Sequence, residues 1–309
     1  MALKIAIGPS SFAQEDSTPL DLLMKAGLEI VPNPFGRRLT EDEIIEHLKG
    51  VDGLIAGLEP LNRKVIESAP QLKAIARVGI GVTNVDFQAA QDCEVKVSNT
   101  PDPPAVAVAE LTLAALLALA RKLPSSNEAL HRKEWKKEIG FGLKGSTVLI
   151  IGFGRIGRRV AKLLHAFEAE VIVFDPFVEA TSLGEGVTSV TLEEGLAQAD
   201  AVSLHASGTE CVLGEKELSL MKPGAILLNS ARGELVDEQA LLGALKSGRL
   251  SGAWFDAFWE EPYTGELCGM NQVLMTPHVG TYTRQCRLEM ESEAVNNLLR
   301  DLGVAGGSQ

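Results

Sequence analysis

"LIIGFGRIGRRVAKLL" (149–164) is an apolar run that turns through three glycines into an amphipathic helical pattern. Gly152, Gly154 and Gly157 stand directly after the run and at the helix start, the placement a dinucleotide-binding turn requires. The first glycine makes the turn, the second lets a pyrophosphate approach the backbone, and the third lets helix and strand pack closely. The helix N-terminus, at Arg155 and Ile156, supplies free N–H groups and the positive end of a dipole. A glycine turn with a capping aspartate would look similar, but Asp175 ends the next apolar run, where a carboxylate can accept hydrogen bonds from both ribose hydroxyls. Pro176 and Phe177 follow it, with no adjacent Lys or Arg for a 2′-phosphate, so the expected cofactor is NAD rather than NADP.

Outward from this loop, short apolar runs alternate with helical patterns, which signals parallel sheets covered by helices. Downstream runs are 147–152, 170–175, 201–206, 225–230, 251–256 and 272–276, six strands that fit one doubly wound sheet. Upstream runs are 3–8, 53–57, 72–77 and 95–99, with a helical stretch at 40–50. "NTPDPP" (99–104) breaks the pattern and opens a long apolar helix. The helix 284–303 has no seventh strand after it and is expected to pack back on the first domain. The fold class is therefore α/β, with two doubly wound, Rossmann-like parallel-sheet domains and the active site in the cleft between them. The expected domains are 1–100 plus 284–309, binding substrate, and 101–283, binding NAD.

The formal charge, 29 − 41 = −12, argues against a nucleic-acid surface. Cys93, Cys211, Cys268 and Cys286 share no short-spaced pair, so neither a zinc pattern nor a disulfide framework is expected. They read as reduced thiols in a cytoplasmic protein. "MALKIAIGPS" enters a strand at once, without the layout of a signal peptide. The run 105–120 contains Glu110 and is shorter than the roughly 20 residues of a membrane span, so it reads as a buried helix.

Ligands of such sheets bind beyond the carboxyl ends of the strands. Arg232, Glu261 and His278 follow three successive strands there. An arginine, a carboxylate and an imidazole are the set needed to reduce a 2-keto acid with NADH. The guanidinium grips the substrate carboxylate and polarises the carbonyl. The imidazole donates the proton, and a touching glutamate would keep it charged. Singly, each has a plain alternative: a surface turn, a solvated acidic pair with Glu260, a satisfied core histidine. Their shared placement beside the glycine loop favours the joint reading, and no metal is required.

"MKPGAILLNSARGELVDEQALLGALKSGRLSGAWFDAFWEEP" (221–262), followed by "TPHVGTYT", resembles the signature of the D-isomer-specific 2-hydroxyacid dehydrogenases. "RVGIGVTNVD" (77–86) and the start of the long apolar helix resemble the same family's first domain. The resemblance implies that Arg232 is the substrate arginine, Glu261 the partner glutamate and His278 the acid/base. It implies that the backbone of Val78, Gly79 and Ile80 meets the substrate carboxylate. It also implies that Asp256 holds the nicotinamide amide and that His205, Ser230, Ala231 and Gly280 line the cofactor. A homodimer is implied as well. Glu261 argues against the formate-oxidising branch, which lacks this glutamate.

The segment "LHASGTECVLGEKEL" (204–218) is shorter than the family's usual loop, which puts contacts at Ala206 and Ser207 in question. "RVGIGVTNVD" looks most like phosphoglycerate dehydrogenases, where that arginine helps bind the substrate phosphate, which suggests Arg77. Those enzymes commonly carry another arginine after the preceding strand, where this chain has "AGLEPL" (56–61); Asn33, Arg37 and Arg38 are alternative phosphate contacts. The expected substrate pair is 3-phosphoglycerate and 3-phosphohydroxypyruvate, with a place in serine biosynthesis. Hydroxypyruvate or glyoxylate stands close behind. An alternative of another class is an NAD-sensing, co-repressor-like binding protein.

Overall fold

A computed structural model describes residues 2–304, which divide into two compact units. One runs to Pro104 and resumes at Tyr282; the other is Ala105–Thr281. The end of the expected first domain, 305–309, lies outside the described residues.

In the first unit, β1 (Lys4–Ile7), β2 (Glu29–Val31), β3 (Gly53–Ala56), β4 (Ala74–Arg77) and β5 (Lys96–Asn99) form a wholly parallel sheet in the order β2-β1-β3-β4-β5. The connecting helices are α1 (Thr18–Lys25), α2 (Glu41–His47), α3 (Arg63–Glu67) and α4 (Phe87–Asp92). Every residue of β3 and β4 is buried, as central parallel strands covered on both faces require. Helix starts follow their capping residues: Thr40 and Glu43 form a reciprocal box, while Asn62 and Asp86 each accept a backbone N–H of the first turn.

In the second unit, α5 (Pro103–Ala120) and α6 (Leu123–His131) precede β6 (Thr147–Ile151), α7 (Arg155–Ala166), β7 (Glu170–Phe174) and β8 (Val187–Ser189). Then come α8 (Leu192–Gln198), β9 (Ala201–Leu204), α9 (Glu215–Leu220), β10 (Ala225–Asn229), α10 (Glu238–Lys246), β11 (Leu250–Phe255) and β12 (Val273–Met275). The sheet order is β12-β11-β10-β9-β6-β7-β8, all parallel, with its switch point between β6 and β9. Seven strands replace the six expected. Both strands missing from the expectation, β2 and β8, are three-residue edges with partly exposed side chains, too short to show a hydrophobic run. The apolar helix α5 packs Ala109, Ala115, Leu116 and Leu119 against Val148, Ile150, Phe153 and Trp254 in the core.

The last helix, α11 (Arg284–Leu302), packs on α1 and on β3, β4 and β5 of the first unit. Its buried Glu291 accepts the N–H of Ala13 at 2.8 Å and pairs with Arg287, pinning the loop after β1 to the helix. All four cysteines are free thiols.

Candidate active site

The glycine loop fits a dinucleotide. Gly152 has φ +92°, and a Cβ there would overlap the backbone of His205 and Ala206, so the turn admits only glycine. A Cβ on Gly157 would overlap the carbonyl of Gly152, so α7 can seat against the strand only with glycine at that position. Beside Gly154, the N-cap of α7, there is open space, as a close-approaching phosphate requires. Asp175 accepts the N–H of Phe153 at 2.7 Å with one oxygen and that of Phe177 at 2.9 Å with the other. It braces the glycine turn from the next strand, and its oxygens keep further lone pairs for ribose hydroxyls.

His205 is clamped at the end of β9. Its Nε2 lies 2.8 Å from Ser203 Oγ and its Nδ1 3.2 Å from Ser230 Oγ, the latter on the neighbouring strand end. Burial pushes this imidazole down to about 3 from its ordinary 6.5, so it remains neutral near pH 7. An unfolded imidazole takes its proton first as pH falls, so the stability this group contributes is complete above 6.5 and is lost toward 3. Urea unfolding at pH 7 and pH 5 checks this: His205→Asn is expected to remove about 2 kcal/mol of the fall seen in the wild type.

Arg232 follows β10 in a turn built by Asn229. The fully buried Asn229 accepts the N–H of Ala231 at 3.0 Å and donates to the carbonyl of Arg232 at 2.7 Å. The Arg232 guanidinium donates to Ala231 O at 2.7 Å, leaving most of its five N–H groups for an anion. A Cβ on Gly233 would overlap the backbone of Phe258 and Trp259. That close approach brings the arginine turn against the segment that carries Glu261. Trp259 Nε1 donates to Val236 O at 2.8 Å, and Tyr263 donates to Glu238 at 2.6 Å. Phe255 stacks on Trp259 and Phe258 on Tyr263, with centroids 5.4 and 4.8 Å apart.

On this platform Glu261 meets His278. Nδ1 of His278 lies 3.0 Å from both Glu261 carboxylate oxygens, and Oε1 also accepts the N–H of Phe258 at 3.2 Å. Burial alone would raise the Glu261 pKa. The His278 hydrogen bond and charge, the Phe258 N–H and the charge of Arg232 outweigh it, and the group lies below its ordinary value. With Nδ1 committed to the carboxylate, Nε2 is the nitrogen left to exchange a proton with a substrate.

The remaining expected residues divide. Asp256 is buried, and its oxygens accept the N–H groups of Val279 and Gly280 and the hydroxyl of Thr276, so it builds the loop holding His278. In the first unit, Val78 N donates to Ala56 O at 2.9 Å and Gly79 N to Thr100 Oγ1 at 2.8 Å. Ile80 is exposed and offers its carbonyl to Asn99 at 2.8 Å. Arg77, expected as a phosphate ligand, is the last residue of β4. Its side chain is buried under the loop, donates to Val78 O and lies where Gly79, at φ +128°, would place a Cβ.

Of the alternatives, Arg37 is held by both oxygens of Glu43 and stacks over Phe35, while Asn33 donates to Gly8 O and Arg37 O. Position 57, after β3, is glycine, and its N–H donates at 2.8 Å to Glu59, which is 1% exposed and lies against Gly8. Burial raises the Glu59 pKa against the pull of that N–H and of the charges on Arg77 and Arg38. Sequence reasoning missed Asn229, Glu59 and Thr276. Glu59 and Asn229 carry a signal in retrospect, since a polar residue at a strand end needs a partner.

The model of the D-isomer specific 2-hydroxyacid dehydrogenase NAD binding domain matches residues 113–280. The chain is 37% identical to a glyoxylate reductase from Thermococcus litoralis over 83% of its length and 82% of that protein's. It is 39% identical to a D-3-phosphoglycerate dehydrogenase from Methanocaldococcus jannaschii over 81% of its length but only 49% of that relative's. Among solved structures, the TT0316 protein from Thermus thermophilus superposes with a TM-score of 0.88 at 35% identity, covering 97% of each chain. A glycine loop that fits NAD, an arginine and a His–Glu pair beyond successive strand ends, and these matches converge on one conclusion: the chain belongs to the D-isomer specific 2-hydroxyacid dehydrogenase family.

Proposed function

We propose that this NAD-dependent oxidoreductase reduces a small, unphosphorylated 2-keto acid, such as hydroxypyruvate or glyoxylate, through Arg232, His278 and Glu261. The observation that supports the site assignment is the double 3.0 Å contact of His278 Nδ1 with Glu261, which leaves Nε2 as the nitrogen for proton exchange. Bound NADH supplies a hydride to the keto carbon. Arg232 grips the substrate carboxylate and draws electron density onto the carbonyl oxygen. His278 Nε2 delivers a proton to that oxygen as negative charge builds, while Glu261 stabilises the imidazolium that carries this proton and fixes the ring. In the reverse direction the same nitrogen takes the hydroxyl proton.

The preference for an unphosphorylated acid departs from the ranking the sequence suggests. A phosphate favours several accessible cations, but Arg77 is buried, Arg37 is paired and a buried carboxyl stands at Glu59, which leaves the exposed Arg38 as the remaining cation of the three arginines. The test compares NADH oxidation with phosphohydroxypyruvate, hydroxypyruvate, glyoxylate and pyruvate. Hydroxypyruvate or glyoxylate is expected to exceed phosphohydroxypyruvate by at least about tenfold in kcat/KM. The opposite order would overturn the substrate assignment while leaving the reaction class intact.

A homodimer belongs to the same proposal. Leu123, Leu130, Trp135 and Ile139 are 55, 56, 83 and 98% exposed within one segment of the nucleotide unit. Apolar side chains grouped in this way mark a surface to be covered. Trp135→Glu combined with Ile139→Glu is expected to leave the fold intact and to shift the sedimenting species from dimer to monomer. Two buried hot-spot side chains are together worth about 4 kcal/mol or more of association. An unchanged sedimentation coefficient would remove this surface from the interface.

A further inference from the structure

We infer that Thr276 and Trp254 are positioning residues for His278, acting through Asp256; the inference rests on His278 being the acid/base group. His278 has φ +53°, a left-handed conformation that strains a non-glycine residue and persists only where its surroundings hold it. Its own N–H folds back onto Thr276 O at 2.9 Å. The residues on either side of it are tied to one carboxylate. Asp256 Oδ1 accepts the Thr276 hydroxyl at 2.6 Å and the N–H of Val279 at 2.9 Å, while Oδ2 accepts the N–H of Gly280 at 2.8 Å. A Cβ on Gly280 would lie 3.0 Å from Oδ2, so glycine lets the backbone close on the carboxylate.

The direction of this network is fixed from inside the core. The Trp254 side chain is fully buried, and its indole Nε1 lies 3.0 Å from Thr276 Oγ1. An indole N–H only donates, so the Thr276 oxygen accepts it and the single hydroxyl proton is directed to Asp256. Turning that hydroxyl away would leave a buried donor or acceptor unmatched, which proteins avoid. The chain Trp254–Thr276–Asp256 thus runs from β11 to the loop after β12 and sets the position of the histidine. A displacement of about 1 Å in a catalytic group can lower turnover by roughly a hundredfold, so a hydroxyl that never touches substrate gains leverage on the rate.

Thr276→Val keeps the shape and removes the hydroxyl. With hydroxypyruvate or glyoxylate as probe, its kcat is expected to fall by about 10- to 100-fold. KM for the keto acid and the Kd for NADH stay within about threefold, because the contacts of Arg232 and the glycine loop are untouched. Thr276→Ser, which restores the hydroxyl, returns kcat to within about threefold of wild type. The solvent deuterium isotope effect on kcat rises in Thr276→Val, since delivery of the proton becomes slow. Wild-type kcat in Thr276→Val, a loss confined to KM, or failure of serine to restore the rate would each overturn the assignment. Should Thr276→Val not fold, Trp254→Phe decides, because it removes the N–H that directs the hydroxyl while keeping an aromatic ring in the core, with kcat compared at unchanged KM and NADH Kd so that a general loosening of the core is told apart from lost positioning. A severalfold lower kcat with a raised isotope effect supports the chain, and an unchanged kcat refutes it. His278→Ala is measured alongside: full turnover there would sink the acid/base reading itself, whereas an inactive His278→Ala with an unaffected Thr276→Val would sink only the role of Thr276.

Discussion

Replacing His278 with alanine is expected to lower kcat for keto-acid reduction by about a thousandfold, the range in which a positioned general acid contributes. NADH binding, followed by fluorescence, should be nearly unchanged, because Asp175 is held by the N–H groups of Phe153 and Phe177 while His278 pairs with Glu261. The structure makes this variant informative. The His278 side chain is 41% exposed and its Nδ1 is already engaged by Glu261, so removing the ring opens no core cavity. A lost rate therefore reports lost proton transfer rather than a damaged fold. Turnover within tenfold of wild type would mean that some other group supplies the proton.

Arg232→Ala should be the more severe change in kcat/KM, by roughly 10³- to 10⁴-fold, or about 4–5.5 kcal/mol of transition-state stabilisation. The guanidinium serves two ends of the substrate, holding the carboxylate and polarising the carbonyl. Its loss therefore raises KM and lowers kcat together. Arg232→Lys keeps a positive charge but not the planar fork, and should recover only part of the loss. The Asn229 contacts to Ala231 N and to the Arg232 carbonyl use backbone atoms alone, so the turn itself survives truncation of the side chain. An Arg232→Ala enzyme with wild-type KM would show that the carboxylate is held elsewhere.

Much of this was legible in the sequence because each feature has a local cause. Gly152 and Gly157 face backbone at distances no side chain tolerates, and such positions leave glycine in the sequence wherever they occur. Strands β3, β4, β9 and β10, buried along their length, show as continuous apolar runs. The edge strands β2 and β8 do not, because a three-residue strand with exposed side chains carries no period to detect. Residues at strand ends could be picked out, but their directions could not. Arg77 ends one buried strand and Arg232 closely follows another, so the two look alike in sequence. One guanidinium turns under its own loop while the other stands at a turn held by Asn229. The resemblance singled out Asp256, but its service to the His278 loop depends on contacts across 20 to 24 residues of chain that no spacing reveals. Glu59 shows the same limit, since its burial against Gly8 comes from packing between β1 and β3.

The central claim is that this site reduces the carbonyl of a 2-keto acid with NADH. The most direct measurement follows NADH consumption by the purified protein with hydroxypyruvate or glyoxylate and quantifies the product, resolving its isomers where C2 is chiral. The expected result is one hydroxy acid formed per NADH consumed, only the D isomer from hydroxypyruvate, and loss of both signals in Arg232→Ala and His278→Ala. Tight NADH binding without consumption on any 2-keto acid would contradict the account and point to a protein that senses the cofactor without turning it over.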